Sequence, residues 1–336
     1  MRIKNTSLGD IAIFVNAKLH KAHSSLIISD IASIENSTAS SISFFTGTSS
    51  YIDTLSKSSV CACFIKEKDI NRLPSGTIPV IVSEPYLAIA QIVQEYIGNG
   101  ENIVTDFTDN KIKGMSSLAT VAKSAIVGKN VTIMPYVYIG DGVIIGDNVT
   151  LYSHVSLECC SIGDGSIVRS GARVGHSGFG FVPNMQNGEH FTVPHVARVI
   201  IGKNVDIGIN SCIDRGFLSD TVVGDYTKID NLVHIAHGVH IGRSCFLAGC
   251  VGVAGSATIG NFVMIGGGSC VSGHITVADY TQITGMSGVV KSVTQKGTTI
   301  AGMPAVETTL WKKMHILAMR SIKPKYKLIE PPIVLK

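Results

Sequence analysis

From Val223 to Val289 an aliphatic side chain falls at every sixth position: Val223, Ile229, Ile235, Ile241, Leu247, Val253, Ile259, Ile265, Val271, Val277, Ile283 and Val289. An earlier block keeps the same step at Val127, Ile133, Ile139, Ile145, Leu151 and Leu157. The rhythm resumes one residue short at Ile162, Val168 and Val174, and again at Ile201, Ile207 and Ile213. Small or β-branched residues tend to stand two positions before each aliphatic, as at Val131, Val137, Val143, Val233, Val239 and Val251. A helix repeats every 3.6 residues and a flat strand every two, so neither produces this pattern. One short strand and one tight turn per hexapeptide does. Three hexapeptides then close a coil of 18 residues, and stacked coils form a parallel β-helix with the aliphatics inside.

Two stretches break the step and must loop out: 176–198 (HSGFGFVPNMQNGEHFTVPHVAR) and 214–220 (DRGFLSD). Long loops on a rigid scaffold are candidates for function. Before residue 105 the pattern differs. SISFFTG, VCACFI and TIPVIVSE read as strands and PYLAIAQIVQEYI as an amphipathic helix, which together predict a small α/β domain. After Ala305, Leu310, Met314 and Leu317 fall at helical spacing, with Trp311, Ala318 and Ile322 widening the stripe and Pro324 ending it. This stripe is expected to be a core face. The predicted division is 1–105 for the α/β domain, 106–304 for the β-helix and 305–336 for a C-terminal helix and tail.

Composition sharpens this picture. Only 15% of residues are charged, and 35 of the 336 are glycine. Hydrophobicity this high excludes intrinsic disorder. Residues 244–278 lack Asp, Glu, Lys and Arg entirely, but eight glycines make that stretch a poor membrane helix. In a β-helix it becomes about two coils whose turns use glycine. No transmembrane segment and no secretory signal is expected. The eight cysteines show no CxxC pairing, which predicts reduced structural thiols and a cytoplasmic protein. The net charge of +4 is concentrated after Ala305, where seven basic residues face two glutamates. No nucleic-acid role is expected, because aromatic interleaving is missing there.

The register lets residues 18 apart be stacked at about 4.8 Å per coil. One column then reads His237, Gly255, Gly273, Lys291, and its neighbour Gly238, Ser256, His274, Ser292. Two histidines, His237 and His274, thus flank a glycine-floored edge, the layout of a site. The run HIAHGVH also offers His234, His237 and His240, but the first and last precede inward aliphatics on different sides of the prism. No metal site within one chain is expected.

The segment RVIIGKNVDIGINSCIDRGFLSDTVVGDYTKIDNLVHIAHGVHIG (198–242) resembles the N-acyltransferases of lipid A synthesis that act on UDP-3-O-(3-hydroxyacyl)glucosamine. GFGF (178–181), GHITVADYTQITGMSGVV (273–290), AGMPA (301–305), ISDIASIENSTASSISFF (28–45) and VSEPYLAIAQIVQEYI (82–97) carry the same resemblance. It implies a left-handed β-helix, a homotrimer with sites between neighbouring subunits, and a cytoplasmic setting in a Gram-negative bacterium. It implies transfer of a 3-hydroxyacyl chain from acyl carrier protein to the 2-amino group of a UDP-aminosugar. No cofactor of the enzyme's own is implied, since the acyl group arrives on the carrier's phosphopantetheine. By resemblance His237 is the general base, Gly255 supplies the oxyanion N–H, His274 is a second functional histidine and Asp230 an orienting acid. Asn231 matches the IDN motif, and Lys291 lies toward the carrier arm. Phe44 and Tyr51 match the aromatics that stack on uracil, although GTSSY (47–51) replaces the usual NPKY and Gly47 the usual Asn. The basic tail would suit an acidic carrier protein. Two other readings stay open at this point: a hexapeptide acyltransferase with another donor or sugar, and an inactive trimeric scaffold.

Overall fold

Between Thr120 and Ile300 the chain winds through short parallel strands, mostly two residues long, stacked into three sheets of eight, nine and nine strands among the described residues. The computed structural model describes residues 2–47, 52–97, 114–302 and 308–321. The chain divides into two units, Met1–Lys111 and Ile112–Lys336.

In the second unit the period of six becomes geometry. Ile213 pairs with Ile235, Ile235 with Val253, Val253 with Val271 and Val271 with Val289, each one coil along. The aliphatics of the series point inward and are almost wholly buried from Ile133 to Val289. Each contributes about 1.5–3 kcal/mol of burial. Val127 departs from the expectation at 40% exposed. It lies in the last strand of its sheet, with a covering coil on one side only. The step that falls one residue short is absorbed at Cys159, whose φ is +41°, so that Ile145 still pairs with Ile162.

The position two before each aliphatic is also interior. Where it is polar, its hydroxyl bonds backbone. Ser166 donates to Gly202 O, Ser211 to Asp230 O, Thr227 to Gly242 O and Ser269 to Thr284 O, all at 2.8–3.0 Å. These side chains satisfy turn carbonyls that the interior would otherwise leave without a partner.

The 176–198 excursion leaves the prism after the strand Arg173–Ser177 and folds into a small hairpin, Phe181–Val182 against Phe191–Thr192. The second excursion begins at the end of the strand Cys212–Arg215, which pairs with Arg173–Ser177 across a register shift.

The first unit is a five-stranded sheet in sequence order: β1 (Arg2–Ser7), β2 (Ile27–Ile31), β3 (Ser41–Phe44), β4 (Ala62–Ile65) and β5 (Ile78–Ile81). Only the β1–β2 pair is antiparallel. Helices α1 (Leu8–Phe14) and α2 (Pro85–Ile97) bury Leu8, Ile11 and Ile92 with Ile42 and Phe64. Cys63 and Ile65 join Phe45 and Leu55 in a separate cluster, so β4 is buried along its length, as central parallel strands are. The three predicted strands and the predicted helix are all present. β1, α1 and β2 were not read from the pattern.

The C-terminal helix, Thr308–Ser321, corrects one expectation. Leu310, Met314 and Leu317 are 48%, 54% and 63% exposed, so these positions of the stripe are not core in the single chain. The reason is that helical spacing sets a face but supplies no surface to cover it. Ile322 and Pro324 lie outside the described residues. Among the described residues no helix is long and apolar enough to cross a membrane.

Candidate functional site

His237 sits in the turn after the strand His234–Ile235, two residues past an inward isoleucine, so its imidazole stands at an edge of the prism. Gly255 occupies the same place one coil along. A Cβ on Gly255 would lie 2.6 Å from His237 Nε2 and 2.9 Å from Cε1, so only glycine lets this backbone approach the ring. The flanking amides Ala254 and Ser256 donate to Val271 O and His237 O. Among the described residues the Gly255 N–H has no such partner. Gly273 continues the floor, and His274 stands exposed beside it, its N–H bonded to Gly255 O at 3.2 Å. His274 lies close enough to lower the His237 pKa. The predicted column of His237, Gly255 and Gly273, with His274 from the neighbouring column, is thus a physical edge. Lys291 is exposed one coil further on.

The two excursions supply groups that sequence spacing did not identify. His195, only 5% exposed, brings its ring centroid to 4.9 Å from that of His237. Gly180 of the GFGF run packs against it, a Cβ there falling 2.5 Å from His195 Cε1. Asp214, the first residue of the second excursion, lies with Oδ2 3.6 Å from His234 Nε2. A Cβ on Gly178 would be 2.9 Å from Asp214 Oδ2 and 3.2 Å from His237 Nδ1. One sequence signal pointed to Asp214: it directly follows Ile213, which pairs with Ile235. His195 has no periodic signal, because its loop lies outside the repeat.

Burial and the neighbouring His195 imidazole pull the His237 pKa below its ordinary 6.5, with Asp214 acting in the opposite direction. Burial pushes the Asp214 carboxyl up, and the imidazoles of His234, His237, His195 and His176 pull it down. The burial favours the neutral imidazole, which stands beside a backbone N–H with no partner among the described residues, an arrangement able to accept a proton while an oxyanion is held.

Asp230 and Asn231 are not part of this edge within the chain. They follow the strand Lys228–Ile229 on another face and border a groove of about 430 Å³ with Arg169, Asp206, Lys228 and Phe246. Asp230 Oδ1 accepts from Asn231 N at 2.7 Å, and Asn231 Oδ1 accepts from Ile209 N at 2.7 Å. Arg169 and Asp206 form a two-pronged ion pair at 2.9 and 2.8 Å. His234 and His240 lie on different faces, and no three ligands gather at a metal-binding distance among the described residues.

In the first unit, Phe44 ends β3 half-buried, its ring centroid 5.4 Å from that of the exposed Tyr86. Gly47 adopts φ +89°, and Arg72 donates to its carbonyl at 3.3 Å. Tyr51 lies outside the described residues.

Comparison with known proteins agrees with both units. Residues 25–95 match the family model described as UDP-3-O-(3-hydroxymyristoyl) glucosamine N-acyltransferase, LpxD. Residues 124–159 and 220–255 match the bacterial transferase hexapeptide repeat. The chain is 38% identical over 303 residues to a UDP-3-O-acylglucosamine N-acyltransferase of Coxiella burnetii, covering 86% of each chain. It is 33% identical over 327 residues to that of Rickettsia akari, covering 90% of this chain and 89% of the relative. A solved structure of LpxA from Acinetobacter baumannii matches with a TM-score of 0.51 at 27% identity, over 60% of this chain and 77% of that one. The coil is the left-handed β-helix of these transferases.

Proposed function

Because the chain belongs to the UDP-3-O-acylglucosamine N-acyltransferase family, we propose that it transfers a 3-hydroxyacyl group from acyl carrier protein to the sugar's 2-amino group, with His237 as general base. The observation that carries this reading is the juxtaposition of the His237 imidazole with the Gly255 backbone. The amine nitrogen attacks the thioester carbon and passes one proton to Nε2 of His237. The oxyanion that forms accepts a hydrogen bond from the Gly255 N–H. Collapse breaks the C–S bond, and the leaving sulfur takes the proton from the imidazolium, giving amide and free thiol. Chemistry of this kind needs no cofactor of the enzyme's own.

His274 contacts the donor or a substrate phosphate, and Lys291 lies toward the carrier arm. Phe44 and Tyr51 stack on uracil. The active assembly is a trimer in the cytoplasm of a Gram-negative bacterium. The edge bearing His237 there faces the edge of a neighbouring copy that bears Asp230 and Asn231. This assignment gives those two residues a place at the site that the single chain does not. The carrier protein is acidic and meets the basic C-terminal segment.

The test is an acyl-transfer assay with a panel of acyl-carrier-protein thioesters and UDP-3-O-acylglucosamine. Wild-type protein forms the N-acylated sugar, and His237→Ala loses about 10²-fold or more of the rate. Unchanged N-acylation by His237→Ala would sink the mechanism. Transfer of acetyl from coenzyme A with no use of the carrier protein would replace the donor.

A further inference from the structure

The acid beside the proposed base is Asp214. Three observations bear on what it does there. First, Asp214 Oδ2 and His237 Nδ1 border the same small volume, the space that a side chain on Gly178 would fill. Second, Nδ1 is the buried nitrogen of His237 and has no hydrogen-bond partner among the described residues. Nε2, on the other side of the ring, faces Gly255. An imidazole whose Nε2 must accept a proton carries its own proton on Nδ1, and that N–H needs an acceptor. Third, the two segments are fastened together. Fully buried Thr221 donates through Oγ1 to Asp214 O at 2.7 Å and accepts from Gly238 N, next to His237, at 2.8 Å.

We propose that Asp214 is the positioning residue for His237. Its carboxylate, reached directly or through one water in the space left by Gly178, holds the Nδ1–H tautomer and steadies the imidazolium formed during transfer. The inference rests on the reading of His237 as base. The charged and titratable groups acting on His237 are His195 from the first excursion, Asp214 from the second, His234 in the strand just before it and His274 two coils along. Asp214 is the one among them that favours the protonated ring. Asp214 in turn faces His176, His195, His234 and His237, and it adjoins Cys212 on its own strand. Its side chain is only 13% exposed, which limits screening by solvent. Within one chain, Asp230, the acid singled out by resemblance, is not among the groups that influence His237.

The test follows the His237 ring by nuclear magnetic resonance titration in wild-type protein, Asp214→Asn and Gly178→Ala, alongside kcat and KM as functions of pH. Removing the carboxylate charge takes away support for the imidazolium. The ring titration and the acidic limb of the rate profile therefore move together to lower pH in Asp214→Asn. kcat falls about 10- to 100-fold, and KM for the sugar changes far less. Gly178→Ala, which wedges a methyl between the two groups, lowers kcat similarly and adds little to Asp214→Asn in the double variant. An unmoved His237 titration overturns the proposal, even if kcat falls, because a merely structural role would leave the ring's proton affinity alone. Full additivity of the two variants also overturns it. Failure of the base assignment shows separately, as full activity of His237→Ala with Asp214 intact.

Discussion

The imidazole of His237 lies against the backbone of Gly255 so closely that a methyl group on that glycine would stand 2.6 Å from Nε2. Gly255→Ala therefore displaces the ring or the N–H beside it. The expected result is a protein with wild-type melting behaviour whose kcat is lower by about 10²-fold, the scale of losing one oxyanion donor. Steady-state kinetics with circular-dichroism melting separates this from misfolding.

The active form of the base is the neutral ring. Burial and His195 depress its folded-state pKa below 6.5. Activity should then persist as pH falls below 6.5 and be lost only on passing the lower folded value. A pH profile of kcat/KM for wild-type protein reads this limb. A limb at or above 6.5 would contradict the environment described for His237.

Inward and outward neighbours on one strand should differ sharply. Ile259 is 2% exposed, whereas Thr258 faces solvent. Ile259→Ala should cost about 2–5 kcal/mol and Thr258→Ala less than about 0.5 kcal/mol, measured by denaturant unfolding.

Gly175 adopts φ +90°, and a Cβ there would lie on Glu158 O. The obstacle is backbone of the preceding coil, so it cannot swing aside. Gly175→Ala should lower the melting temperature by several degrees, as about 1–3 kcal/mol of strain would.

Thiol reactivity should divide by burial. Burial pushes Cys63 and Cys160 up to about 12 and Cys245 to about 11, while Cys250 and Cys270 are exposed. At pH 8 a thiol reagent should label Cys250 and Cys270 in the native protein. The other three should react only after denaturant is added, and mass spectrometry assigns the order.

The sequence by itself determined the β-helix, because each coil repeats one local rule: an aliphatic inward every sixth residue, with a turn between. From that rule followed the stacking of Ile235 on Val253 and the common edge of His237, Gly255 and His274. The strands at 41–44, 62–65 and 78–81 were legible for a related reason, short apolar runs bounded by turn residues. β1 and β2 carry a weaker alternation, with polar residues interrupting it.

Only the tertiary structure decided which groups surround His237. His195 and Asp214 arrive on excursions whose paths obey no period, so counting could not place His195, and Asp214 showed only as the neighbour of an inward isoleucine. Asp230 stands seven positions before His237, yet a prism face turns the two apart. The exposed stripe of the C-terminal helix has the same origin. A repeat fixes which way a side chain points, but what meets it there depends on where non-repeating chain comes back.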